Sequence, residues 1–324
     1  MNEEEIRLLI VHPGSPEDIV ITSLVTVNLA NCPPYEALSY VWGDYQQRAS
    51  VKIDGYPIEI HAELFNAIHT LRNPDSPRLI WADAICIDQS NSPEKSHQVH
   101  IVGRIYETAE NVVVYLGKPS DRSEEAMQYL NFFTNPSNVS EEPPWSYSEL
   151  SMAEQNLADI LSRPWFERIW KVQEATLARH TTLVCGEHRV SWHVDLQTMR
   201  SIVFKIKAAA ISPYFSPNAS YPSTLDWSPL LDILETQMRQ AARREGVTLR
   251  RNHLDLAFDF RHRKCTERRD KYFAIFGIIE NDQGGQLALV PDYTIGLEEL
   301  HDRFTAETRR ISESTSATAM LAPT

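Results

Sequence analysis

Residues 78–117 read RLIWADAICIDQSNSPEKSHQVHIVGRIYETAENVVVYLG, and this stretch decides the fold class. Arg78 to Ala82 is a short apolar run followed by the polar turn Asp88-Gln89-Ser90-Asn91. Ser92 before Pro93 predicts a helix start, because a serine oxygen caps free amides and proline fits the first helical turn. The helix should run to about Ala109, and Asn111 to Leu116 follows as an apolar strand closed by Gly117. Strand, helix and strand in that order predict a crossover, hence parallel neighbours in an α/β sheet.

The same alternation extends upstream. Ile6 to Val11 and Ile19 to Leu29 are β-branched stretches divided by Pro-Gly-Ser-Pro, and Glu36 to Trp42 (EALSYVW) is a third strand ending at Gly43-Asp44. Asp54-Gly55 between residues 51–53 and 57–60 signals a hairpin. Residues 62–72 then set Leu64, Ala67, Ile68 and Leu71 on one helical stripe. Downstream, residues 135–148 read as a loop, 149–162 and 164–179 as helices, and 181–192 as a hairpin around Gly186-Glu187. Helical segments are expected near 193–211, 227–245, 252–260, 269–280 and 297–312, with a Pro-rich break at 212–224. The expected organisation is a sheet domain over 1–192, a helical region over 193–312 packed on it, and a fraying tail over 313–324.

Composition narrows the function classes. The chain has 324 residues, 42% hydrophobic and 23% charged, as in soluble globular proteins. Its net charge of −13 argues against a dedicated nucleic-acid binder, which needs a basic surface. A basic run from Arg239 to Lys271 is the local exception. Asp255, Asp259, Glu267 and Asp270 interrupt it, so it reads as a solvated or salt-bridged surface. No apolar run is long enough to span a membrane, and the N-terminus is acidic rather than signal-like. Four cysteines at 32, 86, 185 and 265 contain no Cys-x-x-Cys pair, which fits a reducing, cytoplasmic location.

The phosphate-loop, dinucleotide-turn, nucleophile-elbow and zinc-protease motifs are all missing. His97 with His100, and Cys185 with His188 and His193, lack a convincing further ligand, so no metal is expected. Three stretches set polar groups into apolar elements: residues 35–44, 80–89 and 163–175. In the first two, Trp42, Asp44, Asp83 and Asp88 stand where strands end, the place where parallel sheets bind ligands. They read equally well as core tryptophans and turn-capping aspartates. In the third, Trp170 and Glu174 lie four apart on one helix face, an aromatic beside a partly desolvated acid that suits work on a cationic centre. The alternative there is an ion pair of Glu174 with Arg168, Lys171 or Arg78 that stabilises the fold.

Taken together, YEALSYVWGD (35–44), the hairpin and helix at 51–72, LIWADAICIDQSN (79–91), EKSHQVHIVGRIYETAENVVVYLG (94–117) and RPWFERIWKVQEATLA (163–178) resemble the heterokaryon incompatibility (HET) domain family of filamentous fungi. The resemblance covers about residues 35 to 190, and RRDKYFAIFGII (268–279) with PDY (291–293) resembles the segment that commonly trails the domain. Ala82 departs from the family's usual β-branched residue. Membership implies a role in non-self recognition and regulated cell death, with self-association or an incompatibility protein as partner. The domain is in turn similar to the TIR domain, which implies a flavodoxin-like, mostly parallel sheet. Tyr35 to Asp44 looks like the opening TIR strand and loop. Trp170-x-x-x-Glu174 looks like the TIR helix motif that carries the glutamate of NAD-cleaving members, although Ile169 replaces its usual serine. The resemblance thus implies NAD as substrate rather than as a bound cofactor, and Glu174 as the catalytic residue. Trp42, Gly43, Asp44, Asp83, Asp88, Gln89 and Trp170 would line the substrate. The opposed expectation is a non-enzymatic scaffold.

Overall fold

The computed structural model describes residues 4–135, 150–210, 225–247, 253–283 and 289–320. Among them, nine strands join in one sheet: β1 (Glu5–Val11), β2 (Ile21–Asn28), β3 (Glu36–Ser39), β4 (Arg48–Ile53), β5 (Tyr56–His61), β6 (Arg78–Trp81), β7 (Asn111–Tyr115), β8 (His180–Cys185) and β9 (His188–His193). Their spatial order is β5-β4-β2-β1-β6-β3-β7-β8-β9. The three apolar strands expected at the centre are neighbours. Ala37 of β3 stands opposite Trp81 on one side and Val112 on the other, and both pairings are parallel. Val112, Val113 and Val114 are buried, as a strand covered on both faces requires.

With β8 parallel to β7, the run β6-β3-β7-β8 carries its strands in the chain order second, first, third, fourth. That is the order of a doubly wound sheet, whose crevice opens where the order reverses, here between β3 and β7. The sheet as a whole is mixed, which corrects the expectation of a mostly parallel one. β1 pairs antiparallel with β2 and β6, β4 with β5, and β8 with β9. Tight turns enforce the outer pairings: Asp54-Gly55 and Gly186 adopt positive φ, and a two-residue turn can only return a strand antiparallel.

Thirteen helices follow the chain among the described residues: α1 (Ala62–Leu71), α2 (Asp83–Cys86), α3 (Ser92–Thr108), α4 (Ser123–Thr134), α5 (Leu150–Leu161), α6 (Pro164–Glu167), α7 (Trp170–Thr176), α8 (Leu196–Ala210), α9 (Ser228–Arg244), α10 (His253–Asp259), α11 (Asp270–Phe273), α12 (Phe276–Gln283) and α13 (Leu297–Met320). The stripe Leu64, Ala67, Ile68 and Leu71 of α1 is buried as its spacing predicts. The cap of α3 is one residue earlier than expected, because the Asn91 side chain accepts the Glu94 amide and Ser92 is already helical.

Larger departures come from tertiary contacts. The single helix expected over 164–179 breaks at Arg168, which is extended. There Lys264 inserts its backbone, donating to Glu167 O at 2.5 Å and accepting from Ile169 N at 3.0 Å. The helix expected over 269–280 is likewise two pieces, α11 and α12. The tail expected from 313 is instead helical to Met320. Leu300 and Phe304 of α13 are anchored in a core, and propagating a nucleated helix is cheap. The loop expected at 135–148, past its first residue, and the break at 212–224 lie outside the described residues.

One core unites the sheet with α1, α3–α5, α8 and α9; a second unites α10–α13 with Ile169 and Val172. Buried amides bridge α9 to the sheet: Gln237 accepts from Trp192 Nε1 at 3.0 Å and donates to Ala175 O and Thr181 Oγ1. The basic run is salt-bridged in part, Lys264 with Glu167 and Arg269 with Glu267, and turns inward elsewhere. Arg263, 1% exposed, donates to Phe166 O and Pro229 O, and Arg244 donates to Leu177 O and Ala178 O. Arg250 and Arg251 lie outside the described residues.

The two hairpin glycines separate conformational strain from crowding. A Cβ at Gly55 meets nothing, whereas at Gly186 it would stand 2.7 Å from Pro119 Cγ. Gly55→Ala should therefore cost about 1–2 kcal/mol for the left-handed backbone alone. Gly186→Ala should cost about 1–3 kcal/mol beyond that for the clash. Urea-unfolding midpoints of the two variants check the difference.

Candidate functional site

The carboxyl end of β3 gathers the polar groups of all three stretches. Ser39, its last residue, is fully buried, and a buried hydroxyl needs partners. Its Oγ donates to Glu174 Oε2 at 2.6 Å and accepts from Trp165 Nε1 at 2.8 Å. Lys171, one turn before Glu174 on α7, places Nζ 2.8 Å from both carboxylate oxygens. Glu174 and Lys171 are 7% and 6% exposed, so the acid is paired and buried. Of the three cations that could have met it, Lys171 is the one that does. Arg78 instead pairs with Glu36, which also accepts from Asn111 and so ties β6, β3 and β7 together.

Two buried tyrosines connect this pair to the ends of β3 and β6. Tyr106 donates to Leu38 O at 3.1 Å, and the ring of Tyr40 lies 5.9 Å from Lys171 Nζ. Burial first, and then the neighbouring charges of Asp83 and Glu174, hold both phenols protonated, far above their ordinary range. Asp83 opens α2 just past β6 and accepts from Trp42 Nε1 at 3.0 Å. Gln89 donates to Asp83 O at 2.9 Å.

Around Trp42 the site reaches solvent. The indole, 37% exposed, packs 5.3 Å from the ring of His61, which in turn meets Tyr45 at 5.3 Å, and Arg48 covers Tyr45 at 4.4 Å. Burial, and then the charge of Arg48, pull the His61 pKa down. Gly43 has φ +72°, and a Cβ there would stand 2.6 Å from Glu63 Cγ, so the loop after β3 can close on α1 only through a glycine.

The structure thus brings together Trp42, Asp83, Gln89 and Glu174 of the residues singled out in the sequence, with Gly43 beside them. It does not bring in the others. Asp44 accepts from the amide of Gln46, and Asp88 from the amide and hydroxyl of Ser90, so each serves its own exposed turn. Trp170 shares α7 with Glu174 but packs on the second core. Sequence reading missed Ser39, Trp165, Tyr40 and His61. The signal for Ser39 was present, a lone hydroxyl inside the apolar strand EALSY. Among the described residues no group of three or more His, Cys, Asp or Glu could hold a metal ion. No described helix is long and apolar enough to cross a membrane.

These features define an α/β domain with a mixed sheet, a parallel centre and a polar cluster buried at the carboxyl end of β3. Residues 35–174 match the family model described as Heterokaryon incompatibility protein (HET). Over 89% of its length it is 28% identical to Heterokaryon incompatibility protein 6, OR allele, of Neurospora crassa, covering 49% of that protein. Over 44% of its length it is 26% identical to Vegetative incompatibility protein HET-E-1 of Podospora anserina, covering 9% of that protein. The chain therefore spans about half of the first relative and a small part of the second. No solved structure matches it.

Two outcomes follow from this geometry. Lys171→Met strands a buried carboxylate and should cost about 3–5 kcal/mol, much of it recovered in Lys171→Met/Glu174→Met, as unfolding midpoints will show. His61 binds a proton less readily when packed than when free, so its packing is favoured above about pH 6.5 and opposed as pH falls below it. Acidification through that window should change Trp42 fluorescence in the parent chain, and far less in His61→Phe.

Proposed function

We propose that this chain is the effector part of an incompatibility protein acting in fungal non-self recognition and cell death, and that it signals by association rather than by catalysis. The family match and the names of the two relatives support the biological role. The buried, paired state of Glu174 carries the choice of mechanism. An acid that is to stabilise an oxocarbenium-like ribose must reach it, yet both oxygens of this carboxylate are taken by Lys171, and one also by Ser39. Cavities of about 290 and 440 Å³ lie elsewhere, beside α9 and the segment 259–264. The partner is then a second copy or an incompatibility protein, and the buried cluster fixes the shape that it meets.

A second reading, cleavage of the nicotinamide–ribose bond of NAD, is favoured by one observation. Glu174 sits at the carboxyl end of β3, beside the point where the parallel strand order reverses. In that TIR-like reading the glutamate contacts the ribose and Trp42 covers the nicotinamide ring. The resemblance also suggests that the helices after β9 form a region packed on a TIR-like domain, and that the protein works in the cytoplasm.

Glu174→Gln, expressed in a fungal host, separates the two. On the association reading the variant leaves the Lys171 ammonium unpaired and loses up to about 3–5 kcal/mol of stability. Toxicity then falls only in step with the folded fraction, and cellular NAD does not change with either form. Loss of toxicity in a fully folded variant, together with NAD depletion by the parent alone, would overturn association in favour of cleavage.

A further inference from the structure

We propose that α10–α13, with the described turn at 260–264, form a latch on α7, and that it holds the Lys171–Glu174 pair shut against the end of β3. The second core shows where the latch grips. Among its buried members in the described residues, Ile169 and Val172 alone come from before residue 256; the others, such as Leu256, Phe273, Phe276 and Phe304, belong to the latch. That core is built directly on α7.

Polar contacts reinforce the apolar grip along the whole helix. Ile169 N donates to Lys264 O at 3.0 Å, and Trp170 packs against the second core. Gln173 Oε1 accepts from Gly277 N at 3.0 Å. The fit around Gln173 is close on two sides. A Cβ at Gly277 would stand 3.1 Å from Gln173 Cδ, and one at Gly103 of α3 would stand 3.4 Å from Gly277 Cα. Glycine at both places lets α3, α7 and α12 meet around one amide.

On its opposite side α7 has a poorer anchor. It presents Lys171 and Glu174 to the sheet, and taking an ion pair out of water forfeits several kcal/mol of hydration per ion. Opening into solvent returns that hydration, so the sheet side alone holds α7 weakly. The helix has seven residues and is cut off from α6 by the extended Arg168, well short of the length at which an isolated helix persists in water. Its conformation therefore depends on its neighbours: α9, whose Gln237 and Arg244 take Ala175 O, Leu177 O and Ala178 O, and the latch, which grips Ile169, Val172 and Gln173. Release would expose Lys171 and Glu174 at the end of β3 without breaking a strand pairing. The latch is independent of whether Glu174 acts chemically or only structurally.

The test uses the whole chain and two variants at the contact: Gln173→Ala, which removes the acceptor for Gly277, and Gly277→Val, which crowds it. Amide hydrogen exchange is followed by peptide, and Lys171 labelling by an amine reagent. Exchange over 170–176 and labelling of Lys171 should rise roughly tenfold or more while β3, β7 and β8 keep their protection, the signature of a sub-global opening. If Gly277→Val does not fold, Trp170→Ala, which removes the indole packed on the second core, is read the same way. Exchange that rises equally in α7 and the sheet would show one cooperative unit and overturn the latch. So would unchanged α7 protection in a variant whose 253–283 segment has loosened.

Discussion

Burying the Lys171–Glu174 pair is the constraint on which the rest of the structure depends. Two desolvated charges are tolerated only when every remaining lone pair and proton finds a partner. That requirement fixes Ser39, 135 residues away in sequence, at the end of β3, and Trp165 beside it. It also places Tyr40 and Tyr106 around the pair, where their hydroxyls remain neutral between two carboxylates. Three stretches far apart in the chain are thereby obliged to meet at one point. An apolar cluster could be filled in many ways, but a buried polar network admits few alternatives.

The break between α6 and α7 is the second consequence. Presenting Lys171 and Glu174 inward requires α7 to start afresh after Arg168, and each helix end leaves carbonyls without intrahelical donors. The basic run supplies them. Arg263 reaches Phe166 O, the Lys264 amide reaches Glu167 O, and Arg244 reaches Leu177 O and Ala178 O past the end of α7. Cations suit these positions, since a helix carries partial negative charge at its carboxyl end. Two of the charges that read as a solvated or salt-bridged surface, Arg244 and Arg263, help two short helices end inside the protein, while Lys264 and Arg269 form ion pairs with Glu167 and Glu267.

This explains what was legible in the sequence and what was not. The neighbours β6, β3 and β7, both tight hairpins and the buried stripe of α1 were legible because each rests on local periodicity or turn chemistry. The antiparallel flank through β1 and β2, the broken helix at Arg168 and the division of α11 from α12 were not. Each depends on a partner remote in sequence, such as Lys264 for Arg168. The same divide runs through the site. Trp42, Asp83 and Glu174 could be picked out as polar or aromatic groups near strand and helix ends. That Glu174 faces the sheet while Trp170, four residues earlier, faces another core could not, because α7 is buried on both sides and helical spacing does not say which side a ligand would meet.

The finished cluster has two unlike halves. Around Trp42, Tyr45 and Arg48 it is exposed and aromatic, a surface that needs no rearrangement to receive a flat ring or another protein. Around Glu174 it is ionic and closed, and Tyr40, itself wholly buried, stands between the halves. A group binding at Trp42 is therefore separated from the carboxylate by a layer of side chains. Chemistry at Glu174 would have to free its carboxylate from Lys171 and Ser39, whereas recognition at Trp42 meets an indole that already reaches solvent. The two are energetically distinct events, coupled only so far as Asp83, which meets Trp42 on one side and influences the Tyr40 hydroxyl on the other, can transmit one to the other.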